Sequence, residues 1–163
     1  MGGNPSIELF DFDNLNGTFC NPQYEQIPDF VGGYGLEFSA DGTKVFVTAF
    51  QLHQFDLLTS NWFTYPPQEV GGAIMRGPND KMYIVAGCDW YDQQAGQMYY
   101  ARNMHVIDDP NLAGAAANLQ LNVYTTPREG GLGLPTCYYA TQTSNTCDPM
   151  TPMFTASNTN ICE

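Results

Sequence analysis

The chain has 163 residues with 17 acidic and 5 basic side chains, a formal net charge of −12 and an aromatic content of 13%. The aromatic content excludes an intrinsically disordered chain, and the 16 glycines and 11 prolines exclude a coiled coil. Binding of nucleic acid through its phosphates is excluded, because so few basic side chains cannot neutralise a polyanion.

The sequence lacks the features of a membrane-inserted chain. No run reaches the roughly 18 apolar residues that a membrane-spanning helix needs. Residues 1–5 have neither the basic nor the apolar region of a signal peptide, which fits a trimmed segment or a cytoplasmic chain. The low lysine content and the abundance of Asn, Thr, Gly and Tyr favour a secreted or cell-surface protein.

The chain opens with part of a strand-forming unit, residues 1–33. Residues 7–11 predict a strand, and an acidic turn follows over residues 11–17. A calcium loop would need oxygen ligands at alternating positions, and Leu15 interrupts that alternation. We therefore favour a strand end with an Asx-type turn over a calcium site.

Residues 34–70 form the first full unit. The predicted strands lie, in order, around Phe38 and over 44–50, 52–57 and 62–65. The turn at 40–43 contains Gly42, which is suited to a positive φ. The continuous apolar run of the second strand predicts burial on both faces.

Residues 71–130 repeat this arrangement, with residues 78–80 as the turn and a long insertion, 87–103, between the second and third strands. Residues 111–118 predict one or two helical turns, and residues 119–125 the fourth strand. Residues 131–163 resemble the start of a further unit and a tail.

The two full units are copies of one pattern. Gly35 precedes Lys44, and Gly72 precedes Lys81, by the same number of residues, and an apolar run follows each lysine. Four antiparallel strands at a period of about 40 residues are typical of a β-propeller. One such sheet cannot cover its own faces and must stack on its neighbours. We predict an all-β fold of antiparallel four-stranded β-propeller blades, as a partial propeller of two full blades and flanking part-blades.

The motifs resemble the WD-repeat-like (YVTN-type) propeller segments of secreted Bacteroidetes proteins, which end in gliding-motility-associated or type IX secretion sorting domains. The stretches that carry this resemblance are residues 7–17, 35–47, 52–57, 72–86, 106–116 and 133–135. The resemblance implies secretion and a parent protein with more blades. The insertion is longer than this group's pattern, and the upstream blades and the sorting domain are absent from these residues.

The insertion holds the predicted binding residues. Aromatic side chains in a loop on a rigid scaffold supply contact area to a glycan or a protein at low entropic cost. The candidates are Trp90, Tyr91, Tyr99, Tyr100 and Arg102. The alternative is a long hairpin whose aromatic side chains cover a blade or an edge.

Two features resemble catalytic groups. His53 and His105 occupy equivalent positions, either as ligands facing a central channel or, as we favour, as structural histidines that bond a neighbouring strand or loop. Asp108 and Asp109 form an acidic pair, but neighbouring strand residues point to opposite faces and cannot easily flank one glycosidic bond. We favour a strand-terminating turn there.

The five cysteines lack the spacing of a zinc site, and no cofactor motif occurs, so we expect no metal and no cofactor. Cys137 and Cys147 bracket a polar loop and are candidates for a short disulfide in an oxidising compartment. The odd count leaves at least one cysteine free or paired outside the chain.

These observations predict a non-enzymatic secreted or cell-surface β-propeller module, a scaffold, adhesion or binding element of a larger surface protein. We expect a protein or glycan partner and self-association through exposed blade edges. Two alternatives remain: a propeller lyase or hydrolase that acts on polysaccharide, and a self-assembling extracellular filament subunit.

Overall fold

The computed structural model describes residues 6–28, 33–49, 51–66, 70–86, 90–92, 97–99, 102–126 and 133–134. The fold is mostly β with antiparallel sheets, as the sequence predicts. The strands are β1 Ser6–Asp13, β2 Thr18–Gln26, β3 Gly35–Phe38, β4 Lys44–Thr48, β5 Leu52–Asp56, β6 Asn61–Thr64, β7 Ile74–Arg76, β8 Met82–Val85, β9 Trp90–Asp92, β10 Gln97–Tyr99, β11 Asn103–Ile107 and β12 Leu119–Thr125. A 3₁₀ helix, Gly114–Ala117, precedes β12.

Each predicted full unit is a four-stranded antiparallel sheet. The first sheet has the order β3-β4-β5-β6, and the second has the order β7-β8-β11-β12. The hairpin β9–β10 is inserted between β8 and β11, and β1 and β2 form a separate two-stranded sheet. Sequence neighbours are therefore also neighbours in space, apart from the inserted hairpin.

The central strands of the first sheet, β4 and β5, are buried on both faces. Every residue of β4 is buried. Phe46 points into a core that the two four-stranded sheets share, with Met82, Ile84 and Ile107 of the second sheet. Val45, on the other face, belongs to a second core. The members of that second core are Ile7, Ile27, Val45, Val47 and Phe55. The two-stranded sheet, the first sheet and the second sheet are thus stacked in series.

The first strands of the two four-stranded sheets, β3 and β7, approach each other very closely, and they are called the inner strands below. A Cβ on Gly35 would lie 2.9 Å from the backbone nitrogen of Ile74, so this position admits only glycine without a shift of backbone. The buried Thr48 hydroxyl donates to the Gly72 carbonyl at 2.6 Å and accepts from the Gly35 N–H at 2.9 Å. One side chain therefore joins both sheets at their narrowest contact.

A loop of the second sheet lies over the first sheet and is fastened by a buried amide. The Gln54 side chain donates through Nε2 to the Leu112 carbonyl at 2.8 Å. Its Oε1 accepts from the Gly114 N–H at 2.6 Å. The Tyr65 hydroxyl donates to the Gly114 carbonyl at 2.9 Å, and burial raises the pKa of Tyr65. These bonds hold residues 112–114 against the first sheet.

The same ion pair recurs in both four-stranded sheets. In each sheet, a lysine at the start of the second strand, or directly before it, forms an ion pair with an aspartate at the end of the third strand. Lys44 Nζ lies 3.2 Å from Asp56 Oδ2, and Lys81 Nζ lies 2.7 Å from Asp108 Oδ1. The sheets are therefore structural copies as well as sequence copies.

The hairpin β1–β2 has the same turn geometry as the hairpin β5–β6, which is formed by the third and fourth strands of the first sheet. The Asp13 carbonyl accepts from Gly17 N–H at 2.8 Å, and the Asp56 carbonyl accepts from Ser60 N–H at 2.8 Å. Gly17 and Ser60 share a left-handed backbone, with φ of 67° and 55°. This geometry makes Asp13 the equivalent of Asp56.

Candidate interaction surface

The predicted binding insertion contains a short hairpin. In its register Trp90 pairs with Tyr99, and Tyr91 pairs with Met98, so three of the predicted aromatic positions lie in one two-stranded element. Tyr100 lies outside the described residues. Arg102 is exposed, and its carbonyl accepts from Thr126 N–H at 2.7 Å, which ties the end of the insertion to the end of β12.

An exposed aromatic surface lies on β1 and β2, outside the predicted binding residues. Phe12 and Phe19 are paired in register with ring centroids 4.9 Å apart, and Phe10 lies 5.9 Å from Phe19. All three side chains are exposed, and Phe19 is 70% exposed. In the sequence, Phe10 and Phe12 alternate with Asp11 and Asp13, a pattern that indicates a strand but not which of its faces is covered.

The opposite face of β1 explains why this surface is exposed. Ile7 and Leu9 pack against the first sheet and leave the even-numbered positions of the strand pointing away from it. β2 contains a bulge opposite the segment of β1 that follows Leu9. Within this bulge Asn21 has a left-handed φ of 51°. The Asn21 amide donates to Asp11 Oδ2 at 2.9 Å and supports the bulge. The three phenylalanines, Phe10, Phe12 and Phe19, are called the aromatic face below.

The two equivalent histidines bond the fourth strand of their own sheet. His53 Nδ1 lies 3.1 Å from the Thr64 hydroxyl, and His105 Nδ1 accepts from the Asn122 N–H at 2.9 Å. Both histidines are buried. Asn122 has a left-handed φ of 52° within the irregular pairing of β11 and β12, so His105 satisfies a donor that this irregularity frees. These contacts match the structural role that we favoured.

The acidic turn of residues 11–17 is an Asx-type turn. Asp13 Oδ1 accepts from Leu15 N–H at 2.9 Å, and its Oδ2 accepts from the Asn16 amide at 2.7 Å. The hydrogen bond from the Asn16 side chain is the main cause of the lowered pKa of Asp13. Across the described part of the chain, no group of three or more His, Cys, Asp or Glu side chains is placed to hold a metal ion.

The acidic pair after β11 terminates the strand. Asp108 accepts from Lys81 and, through Oδ2, from the Asn118 amide at 3.0 Å. The hydrogen bond to Asp108 is the largest cause of the raised pKa of Lys81. The Asp109 N–H donates to the Ala117 carbonyl at 3.0 Å. Asp108 is thus engaged in structural contacts, and the backbone of Asp109 closes the turn.

Cys20, on β2, is disulfide-bonded. The other four cysteines, among them Cys137 and Cys147, lie outside the described residues, so their predicted pairing remains a prediction.

Among the described residues, no helix has the length and apolarity to cross a membrane. Comparisons of the chain with protein-family models, with curated proteins and with solved structures found no match.

Proposed function

We propose that this chain is a non-enzymatic binding and scaffold module of a secreted or cell-surface protein built from stacked propeller-type blades. Its partner is a protein that docks on exposed aromatic side chains. The observation that carries this proposal is the aromatic face, because three neighbouring phenylalanines are exposed on a sheet whose other face is anchored in a core.

The composition of the aromatic face favours a protein partner. Phenylalanine is enriched in the buried centre of protein interfaces, where it contributes apolar area that water otherwise covers. Phe19 alone contacts the rings of both other members, so the three side chains form one continuous surface. A rigid sheet loses little entropy when such a surface is covered.

Two further observations support the location and the non-enzymatic character. The disulfide at Cys20 is typical of proteins from oxidising compartments. The histidines and the Asp108 carboxylate, which a polysaccharide lyase or hydrolase would use, are engaged in contacts that hold strands and turns. The motif resemblance to secreted Bacteroidetes propellers agrees with that location.

The test compares surface variants of the purified chain in a binding assay. Phe19→Ala and Trp90→Ala are measured for retention on immobilised extracellular protein fractions and on a panel of acidic and neutral glycans. The matched control is Leu58→Ala, whose side chain is 75% exposed in the turn between β5 and β6.

We expect protein binding that Phe19→Ala weakens at least tenfold and that Leu58→Ala leaves unchanged. Turnover of any glycan would contradict the proposal and favour the polysaccharide enzyme. Binding to glycans alone would overturn the choice of a protein partner. Regular polymers of the purified chain in electron micrographs would favour the filament subunit instead.

A further inference from the structure

The face of the first sheet that packs on β1 and β2 is only partly covered. Ile7 contributes to a core with Val45, Val47 and Phe55, which belong to β4 and β5. On the same face, the neighbouring inner strand β3 carries Leu36 and Phe38, and both side chains are exposed.

The equivalent position in the second sheet is covered. Leu36 pairs with Val47, and Ile74 pairs with Ile84. Val47 and Ile84 follow the lysines of their sheets by the same number of residues, so Leu36 and Ile74 occupy equivalent positions. Leu36 is 46% exposed, whereas Ile74 is 7% exposed. The difference arises because β3 of the first sheet lies against Ile74. A Cβ on Gly35 would lie 3.1 Å from the Cγ2 atom of Ile74. Among the described residues, no strand packs against Leu36 in the way that β3 packs against Ile74.

Strands placed against Leu36 would also extend the two-stranded sheet. Within the described ranges β1 pairs with β2 alone, whereas its counterparts β5 and β11 each have a second strand on their other side. A strand added to that edge of β1 would lie about 4.8 Å away, in a layer about 10 Å above the first sheet. The two-stranded sheet, which packs on β4 and β5, would then extend towards Leu36 and Phe38 of β3. The edge of β1 that no described strand pairs, together with Leu36 and Phe38, is called the notch below.

A carboxylate at the end of β1 defines the charge of the occupant. Among the described residues, the ion pairs are Lys44–Asp56 and Lys81–Asp108, and the equivalent aspartate of the two-stranded sheet, Asp13, has no cationic partner there. In each full sheet the cation comes from the second strand, beside the aspartate of the third. A second strand placed beside β1 would bring its lysine to Asp13.

We propose that the notch binds an antiparallel pair of strands from another repeat unit of this type. The occupant has glycine where its first strand crosses Leu36, apolar residues in its second strand, and a lysine that meets Asp13. The interface is a continuation of the one that the chain already forms between its two full sheets. This inference deepens the proposed function, since it identifies where the next blade of a larger stack attaches.

The experiment measures binding of two labelled peptides to the purified chain by fluorescence anisotropy. The peptides have the sequences of residues 33–49 and 71–86, which contain β3–β4 and β7–β8. A scrambled form of the first peptide is the negative control. We expect saturable binding of both native sequences in a one-to-one complex.

Variants of the chain locate the binding site. Phe38→Asp is expected to weaken binding at least tenfold, because it places a carboxylate in the covered face. Leu58→Asp, at a position 75% exposed in a turn, is the matched control and is expected to change nothing. Asp13→Asn, which keeps an acceptor for the turn, is expected to weaken binding about three- to tenfold, and Asp11→Asn is its control.

Variants of the peptide test the other side of the contact. In the peptide of residues 33–49, Lys44→Met is expected to weaken binding to the native chain but to have little further effect on Asp13→Asn. Gly35→Val is expected to abolish binding. The proposal is overturned if neither peptide saturates, or if Phe38→Asp and Leu58→Asp behave alike. Retention on the protein fractions through Phe19 is measured separately, so failure at the notch leaves the proposed function standing.

Discussion

Gln54 holds the loop at residues 112–114 against the first sheet, and replacement of Gln54 by leucine gives the sharpest test of that contact. The Gln54 amide is buried and makes hydrogen bonds to Leu112 and Gly114, which lie 58 and 60 residues further along the chain. Leucine has a similar size and suits the apolar surroundings, but it can neither donate nor accept. The substitution therefore removes both bonds with little change of volume.

The expected cost follows from those two bonds. Each lost hydrogen bond contributes about 1 kcal/mol, and a buried N–H without a partner costs about 1–3 kcal/mol. The sum is about 3–5 kcal/mol, which lowers the melting temperature of a chain of this size by about 6–20 °C. Urea unfolding followed by tryptophan fluorescence measures the free energy, and differential scanning calorimetry measures the melting temperature.

The matched control is Gln120→Leu. The Gln120 amide also donates to a side-chain oxygen, Asn118 Oδ1, at 2.6 Å, but the residue is exposed. We expect a change within about 0.5 kcal/mol, as is usual for surface substitutions. Equal stability of Gln54→Leu and the native chain would refute the interaction between the loop and the first sheet.

Three further predictions concern a hydrogen bond, a turn and an ion pair. Thr48→Val is expected to lose about 1–3 kcal/mol of unfolding free energy in urea, because it removes the hydroxyl that joins the two inner strands. Gly42→Ala is expected to cost about 1–2 kcal/mol in the same assay, because its φ of 69° is left-handed; a native-like value would contradict the turn. Burial opposes ionisation of Asp56, but hydrogen bonds from Lys44 and the backbone outweigh it and lower its pKa below 3.8. Since the unfolded state then binds the proton more tightly, stability is present above about pH 4 and is lost as pH falls through the folded pKa. Urea midpoints between pH 2 and 7 check this, and Asp56→Asn is expected to be less stable at pH 7 and to lose less on acidification.

The sheets were predictable because the sequence repeats a local pattern. The lysine followed by an apolar run located β4 and β8, and the continuous apolar character of β4 correctly indicated burial on both faces. The fourth strand of the second unit, Leu119–Thr125, matches the predicted bounds. Where boundaries differ, as at the end of β4 at Thr48 rather than at residue 50, the chain turns before its apolar run ends.

The contacts between sheets were not predictable, because they join residues far apart in the chain. In the sequence Gln54 appears as an ordinary polar position of a strand, and only the distant loop at 112–114 gives it a buried role. The exposure of Phe10 and Phe12 was hidden for a related reason. Ile7 and Leu9 form one alternating set and the phenylalanines another, and only the packing decides which set is covered.

The central claim is that two copies of one sheet unit are packed face to face, and nuclear Overhauser effects between them test it most directly. In a sample with labelled glycine and isoleucine methyl groups, the account predicts a cross-peak between the Gly35 α-protons and the Ile74 γ2-methyl group. It also predicts a cross-peak between the Gly114 α-protons and the Phe63 ring, since a Cβ at Gly114 would lie 3.1 Å from that ring. Absence of both cross-peaks in a folded sample would contradict the stacking of the two sheets.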